Sequence, residues 1–465
     1  MTLIKSISGI RGTIGGKKGE NLTPEDVVLY TASYAQWLIE NSNTARLKVV
    51  LGRDGRISGE MIANLVTSSL NGMGIDVIDL DLSTTPTVEI AVSGEHAHGG
   101  IIITASHNPS QWNALKLLND KGEFISDKDG QRIIEIADSG AFEYATVEDL
   151  GHRVNNDAYL KKHIDLVLDL PLVNKDSIKR RKFKVVVDAV NSTGGLFIPE
   201  LLRNLGVDDI VEINCEVNGQ FAHNPEPLKE NLTTLSAKVV EVNADLGIAV
   251  DPDVDRLVFV QEDGELFGEE YSLVAISDYI LSHKKGNTVS NLSSTRALRD
   301  VTEKHGGIHY ASAVGEVNVV QMMKDKDAVI GGEGNGGIIY PDLHFGRDAL
   351  VGVALFLTHL SLWDNGNAKI SQLRDSYPKY FMSKNKIVLS EGIDIQYILD
   401  KLSMEFKNED TNAIDGLKID FEDEWVHLRK SNTEPIIRIY SESKSLEKAE
   451  ALSKKIMDMI MALNS

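Results

Sequence analysis

Gly99-Gly100-Ile101-Ile102-Ile103-Thr104-Ala105-Ser106-His107-Asn108-Pro109 is the stretch that decides how this chain is read. Two glycines and three β-branched residues describe a fully buried strand, and the polar residues after it describe a turn. A strand apolar on both sides belongs in a sheet covered on both faces. The turn presents Ser106. Its hydroxyl can serve there as a nucleophile or as the carrier of a covalent group, or can be a plain solvated turn residue. Lys116, ten residues on, could move a proton or pair with an anion.

Outward from this stretch, strands alternate with helices. Thr23-Pro24-Glu25-Asp26 predicts a helix start, with an N-cap residue, Pro at N1 and acids in the first turn. That helix continues to about residue 40. A strand at 48–51 enters Gly52-Arg53-Asp54, a helix covers 58–73 and stops at Gly74, a strand follows at 77–80, and 83–86 reads as a polar turn. The cadence returns as strand 184–187, helix 196–205 and strand 210–213, and again as 287–294, 295–305 and 308–312. Near 368–382 it changes. A helix at 394–407 precedes strands at 417–421, 424–429 and 435–441 and a closing helix at 445–463. The fold class is α/β: three related mixed α/β domains and a smaller C-terminal α+β domain. The chain, at 465 residues, is too long for one core. The expected domains are 1–153, 154–256, 257–370 and 371–465.

Composition excludes several classes. Hydrophobic residues make 42% and charged residues 25%, as in globular proteins. Lys and Arg number 48 and Asp and Glu 69, a net charge of −21. Neither nucleic acid nor an anionic membrane surface is an expected partner, since each needs a basic face. A phosphorylated small molecule remains possible where a few cations converge. Cys215 is the single cysteine, so no intrachain disulfide can form and a reducing compartment fits. The first residues lack the apolar core of a signal peptide, and no run approaches the ~18 apolar residues of a membrane span. A cytoplasmic location is the expectation.

Three further stretches carry chemistry. Asp251-Pro252-Asp253-Val254-Asp255-Arg256 lies between two apolar runs. Carboxylates at i, i+2 and i+4 on extended backbone point to one side. Like charges at ~4 Å repel by about 1 kcal/mol per pair even in water, and a hard divalent cation such as Mg²⁺ resolves this. An EF-hand is excluded, because Arg256 stands where its loop turns on glycine and the flanks read as strands. Aspartates that merely form a turn are the alternative. Gly331-Gly332-Glu333-Gly334-Asn335-Gly336-Gly337 formally contains G-x-G-x-x-G, but Ile338-Ile339 follows where a dinucleotide site needs a helix. Glu333 and Asn335 among glycines suit hydrogen bonding to a polyol. A hairpin tip is the other reading. Arg429-Lys430-Ser431-Asn432-Thr433-Glu434-Pro435, with Arg438, brackets a polar turn with two arginines and suits an anion.

In this order, the four loops resemble those of the α-D-phosphohexomutase superfamily, whose members are phosphoglucomutases, phosphomannomutases and phosphoglucosamine mutases. The resemblance spans the whole chain. Gly9-Ile10-Arg11-Gly12, Gly52-Arg53-Asp54 and His223-Asn224-Pro225-Glu226-Pro227 are similar to further family stretches. It implies four domains around a central cleft and a mutase in which Ser106 carries a phosphoryl group. Asp251, Asp253 and Asp255, with the phosphoserine, would hold Mg²⁺. Lys116 would be the general acid/base, with His107, Arg11 and Arg256 near the phosphoryl group. Glu333, Gly334 and Asn335 would meet the sugar, and Arg429, Ser431, Asn432, Thr433 and Arg438 the phosphate that does not react. A sugar bisphosphate would be the activator, and the protein a monomer or homodimer.

Departures from the pattern bear on substrate. Pro252 and Val254 replace glycine and alanine, and Ala114 replaces a glycine. Where many bacterial members have Glu-x-Ser-Gly-His, this chain has Asn335 for the serine and Gly337 for the histidine. The variant resembles archaeal-type members and points to glucosamine 6-phosphate as substrate, with broad phosphomannomutase/phosphoglucomutase activity as the alternative. A metal-dependent sugar phosphatase and a non-catalytic sugar-phosphate sensor are the rival classes. The second phosphate loop argues against the first, and the intact serine, lysine and aspartates argue against the second.

Overall fold

The computed structural model describes residues 2–6, 9–388, 394–430 and 436–463. Four sheets give the architecture: three of α/β type and an antiparallel one at the C-terminus. The chain forms two compact units, Met1–Ser272 with Asn335–Leu373, and Leu273–Gly334 with Arg374–Ser465.

In the first unit, the seven-stranded sheet is centred on Gly99–Ile103. This strand runs parallel to Lys48–Arg53 and antiparallel to Trp112–Leu118. All five of its residues are buried. Ile101 and Ile103 enter the core beneath helices Pro24–Glu40, Gly59–Gly72 and Asp127–Ser139, while Ile102 enters the core beneath Thr85–Gly94. Period-two alternation between two cores explains the unbroken apolar run. The glycines have a packing reason too. A Cβ at Gly99 would stand 2.0 Å from Tyr34 Oη, which donates to the Leu118 carbonyl at 2.7 Å. The predicted cap at Thr23 is present as a capping box with Asp26.

The second sheet runs Leu257–Gln261, Leu246–Val250, Lys184–Asp188, Asp209–Ile213. Leu246–Val250 and Leu257–Gln261 pair antiparallel, with Val250 opposite Leu257. The acidic stretch is therefore the connection of a hairpin, flanked by strands as the sequence predicts. Helix Ala349–Leu362 is buried through Ser361, so it carries no amphipathic period.

In the second unit, Asn287–Asn291 runs parallel to His309–Ser312 and Ala328–Glu333. The five-stranded antiparallel sheet follows, its core shared with helices Ile395–Glu405 and Leu446–Leu463.

Two local readings need correction. Residues 83–86 are not a polar turn: Thr84 caps helix Thr85–Gly94 by accepting from Thr87 N–H, with Pro86 in the first turn. Arg11 lies on strand Gly9–Thr13, whose glycines give close approach. A Cβ at Gly12 would meet Leu22 N at 2.9 Å. Strand Phe381–Val388 was not anticipated, since its alternation carries Lys384, Asn385 and Lys386 in place of apolar residues on this edge strand. Among the described residues, no helix is long and apolar enough to cross a membrane.

Candidate active site

Ser106 follows the central strand and has φ +48. A left-handed residue that is not glycine costs ~1–3 kcal/mol and persists only when its surroundings hold it. Arg56 does much of the holding. Its guanidinium donates to the carbonyls of Ser106, Asn108, Pro109 and Trp112 at 2.5–2.9 Å and to Asp54 Oδ2 at 2.9 Å. The Thr104 hydroxyl donates to the same Asp54 oxygen and accepts from Ser106 N–H. Arg56 and Asp54 are both fully buried, so the serine turn is tied to the end of strand Lys48–Arg53 by a desolvated ion pair.

The acidic hairpin turn is held as tightly. The Pro252 carbonyl accepts from Ser192 and Thr193, the Asp253 carbonyl from Thr85 N–H, and the Val254 carbonyl from Ala349 N–H. Val254, buried, has φ +62, an outlying conformation for a β-branched residue. The three carboxylates thus converge through a strained turn, not by the alternation of an extended strand. All three aspartates are fully buried, and one ligand oxygen of each lies within 4.8 Å of the others.

The Ser106 hydroxyl donates to Asp251 Oδ2 at 2.8 Å, joining the two loops. Asp251 Oδ1 accepts from the N–H groups of Asp255 and Arg256. Asp253 Oδ2 accepts from Lys116 Nζ at 2.7 Å and Thr85 Oγ1 at 2.6 Å. Asp255 Oδ2 accepts from Arg347 Nη2 at 2.7 Å and Lys116 Nζ at 3.4 Å. Asp253 Oδ1 and Asp255 Oδ1 are buried with no hydrogen-bond partner among the described residues, though Arg256 Nε lies 4.0 Å from Asp255 Oδ1. Burying a carboxylate oxygen unpaired is costly, and two such oxygens in an all-oxygen cluster fit a hard divalent cation.

Electrostatics divide the roles. Burial, then the charges of Asp255 and Asp253, push the Asp251 carboxyl well above the usual range. Burial alone would lower Lys116, but Asp253 and Asp255 outweigh it and hold the ammonium above its ordinary value. Burial, then Arg256, keeps His107 well below 6.5, and its Nδ1 lies 3.4 Å from Ser106 Oγ. Arg11 donates to Asn108 Oδ1 at 3.1 Å. Arg256 has a buried Nε without a hydrogen-bond partner and approaches Glu226 at 3.8 Å. The first unit therefore brings together Ser106, His107, Lys116, Arg11, Arg256 and the three aspartates. Arg56, Thr85, Thr104 and Arg347 complete the surroundings and were not found from the sequence. Arg56 follows the quoted Gly52-Arg53-Asp54 by two residues, and that proximity was the available signal.

The remaining candidates belong to other settings. Glu333 ends strand Ala328–Glu333 in the second unit, buried, and accepts from Asn291 Nδ2 at 2.8 Å and Gly315 N–H at 3.1 Å. Gly334 N–H donates to Ser294 Oγ. These bonds exclude a loose hairpin tip for this end of the loop. Asn335, which opens the second segment of the first unit, accepts from Gly337 N–H. Arg429 and Arg438 stand directly opposite on paired strands. Like charges so placed repel, and Asp415 lies 3.8 Å from Arg429. Ser431, Asn432 and Thr433 lie outside the described residues.

Comparison with known proteins agrees with this construction. Residues 3–144, 158–264 and 268–380 match the phosphoglucomutase/phosphomannomutase α/β/α domains I, II and III, and 390–459 match the C-terminal domain. A phosphoglucomutase/phosphomannomutase of Thermococcus kodakarensis is 36% identical over 94% of this chain and 95% of its own. A phosphoglucosamine/phosphogalactosamine mutase of Sulfurisphaera tokodaii is 30% identical over 97% of this chain and 98% of its own. The crystal structure of a phosphoglucomutase/phosphomannomutase family protein from Burkholderia thailandensis superposes with a TM-score of 0.85 at 25% identity, covering 99% of this chain and 98% of that one. Fold and relatives together define a phosphohexomutase, an isomerase. The chain belongs to the phosphoglucomutase/phosphomannomutase family.

Proposed function

We propose that Ser106 carries the phosphoryl group through which this chain interconverts hexose 6-phosphate and hexose 1-phosphate, with glucosamine 6-phosphate the preferred substrate. The observation that carries the reading is the Ser106 hydroxyl on Asp251 inside a carboxylate cluster with two unpartnered oxygens. The phosphorylated serine gives its group to the free sugar hydroxyl: the P–O bond to Ser106 breaks, one to the sugar forms, and the proton lost by the sugar hydroxyl is balanced by one gained at the Ser106 oxygen. The bisphosphate then returns its other phosphoryl group to Ser106, with Asp251 orienting the serine oxygen by accepting its hydrogen.

Asp251, Asp253 and Asp255, with the serine's phosphoryl oxygen, would hold Mg²⁺, which when bound neutralises charge on the transferring group. Lys116, held protonated beside Asp253, suits the acid half of the proton exchange. His107 stays neutral and can bond a phosphoryl oxygen without adding charge. Arg11 and Arg256 supply that charge. Arg429 and Arg438, with Ser431, Asn432 and Thr433, clamp the phosphate that does not react, and Glu333 and Asn335 meet sugar hydroxyls.

The glucosamine preference is supported by the Asn335 and Gly337 variant and by the amino-sugar activity in the name of the Sulfurisphaera relative. The two hexose activities in the name of the Thermococcus relative support the broader reading. A competition decides between them. Equimolar glucosamine, mannose and glucose 6-phosphates are followed by phosphorus NMR with Mg²⁺ and a trace of hexose bisphosphate. Glucosamine 1-phosphate forming fastest is the expected result. Equal or faster mannose or glucose product overturns the substrate choice, and inorganic phosphate without isomerised sugar overturns the mutase reading.

A further inference from the structure

Arg347 touches the carboxylate cluster from a part of the chain that no motif marks. It lies in segment 344–348, which returns against strand Gly337–Ile339: Ile339 and Arg347 form an antiparallel bridge, and Asp348 N–H donates to the Ile338 carbonyl at 2.8 Å. Both neighbours of Arg347 are pinned. Asp348 caps helix Ala349–Leu362 and accepts from buried His163 at 2.9 Å. A Cβ at Gly346 would stand 1.8 Å from Glu89 Oε2. The guanidinium, buried, reaches Asp255 Oδ2 at 2.7 Å.

The stem of Arg347 fills the space at Gly337. A Cβ there would stand 2.3 Å from Arg347 Cδ and 3.0 Å from Cγ. The backbone of Gly337 is not left-handed, so space alone demands glycine. The missing side chain in the sugar loop and the arginine on the aspartate are one arrangement.

We infer that Arg347, seated in the space left by Gly337, is the positioning residue that turns Asp255 so that its other oxygen, which makes no hydrogen bond, faces the metal position. The inference rests on the metal site proposed above. Lys116, at 3.4 Å from the same oxygen, engages Asp253 more closely, so Arg347 is the principal anchor of Asp255. A partner that fixes the far oxygen of a ligating carboxylate orients it, and loss of such partners typically lowers metal affinity about 10–100-fold.

Charge alone predicts the opposite sign. Three carboxylates face three cations, Lys116, Arg256 and Arg347, and removing one of these would strengthen attraction for a divalent ion. The sign of the change therefore separates orientation from neutralisation.

The test titrates manganese ion alone into the substrate-free full chain, read by electron paramagnetic resonance. R347M and G337A should each weaken binding about 10–100-fold. G337A removes no charged group and only displaces the Arg347 stem, so it asks the same question if R347M folds poorly. In the double variant G337A should add nothing to R347M, because one arrangement is broken only once. Both single variants should lower kcat and leave the KM for hexose phosphate unchanged. Unchanged or tighter manganese binding by R347M or G337A, or additive losses in the double variant, overturns the inference. A wild-type chain that neither binds manganese nor isomerises hexose phosphate would instead overturn the site reading itself.

Discussion

Around Ser106 nearly every polar atom of the two loops has a set partner, whereas Arg429 and Arg438 in the second unit face each other as like charges on adjacent strands, one half-buried and the other exposed. The first region is fixed before any substrate arrives: the serine turn by four carbonyl bonds to Arg56, the acidic turn by Ser192, Thr193, Thr85 and Ala349. In the second, Arg429 has a looser ion pair, with Asp415 at 3.8 Å, and Arg438 is exposed. The contrast fits the division of labour in the proposed reaction. Phosphoryl transfer needs groups aimed where charge develops, and misplacement is costly. A clamp that takes a sugar phosphate in two orientations needs charge and tolerance.

The largest effect expected is in the fixed region. S106A should lower turnover on the order of 10⁴-fold or more, as loss of a nucleophile does, while the circular dichroism spectrum and melting temperature stay near wild type. A variant that isomerises at near-normal rate would remove the serine from the chemistry. R56M tests whether the serine turn is held by its buried ion pair. Leaving Asp54 uncompensated should cost about 3–5 kcal/mol of stability by urea unfolding, and the surviving enzyme should show reduced kcat. A stability change below ~1 kcal/mol would mean that the turn holds itself.

In the second unit the loss should be smaller and of another kind. R438M removes one charge-assisted bond to phosphate, so KM for hexose 6-phosphate should rise about tenfold with kcat nearly unchanged. An equal fall in kcat with no change in KM would place Arg438 in the transfer step and erase the contrast.

A further effect, outside both regions, is a pH slope. Burial would lower His344, but its bonds to Asp348 and Glu89 outweigh that and push it up to about 10. A raised histidine stabilises the fold fully below its unfolded value of 6.5, and that contribution is lost as pH rises through about 10. Unfolding midpoints should fall between pH 6.5 and 10, and H344Q should flatten the fall. Parallel profiles for the two proteins would contradict the assignment.

The same contrast explains what the sequence discloses. Ser106, the aspartates and the strands beside them are adjacent in the chain, so an apolar run and a short motif were enough to find them. Arg56 and Arg347 act on these loops from residues far along the chain; Arg56 is marked only by its closeness to Gly52-Arg53-Asp54, and Arg347 by no motif. The acidic motif was recognised for a wrong local reason, since Val254 turns the chain where an extended strand was expected. The start of helix Thr85–Gly94 reads as a turn because Ser83-Thr84-Thr85-Pro86 is rich in turn formers, while tertiary packing of Val88, Ala91 and Val92 sustains the helix. The sugar loop points to its candidate residues and, through a family likeness, to glucosamine 6-phosphate, but the packing of Gly337 against Arg347 is visible only in the fold.

The central claim, that the phosphoryl group travels on Ser106, is tested most directly by mapping it. The chain is incubated with Mg²⁺ and a hexose 1,6-bisphosphate, digested, and examined by mass spectrometry before and after a chase with hexose 6-phosphate. The account predicts one phosphoryl group on Ser106, removed by the chase as bisphosphate forms, and none on S106A. Isomerisation without a phosphorylated Ser106, or a phosphoryl group that resides elsewhere and is chased at the rate of turnover, would contradict it.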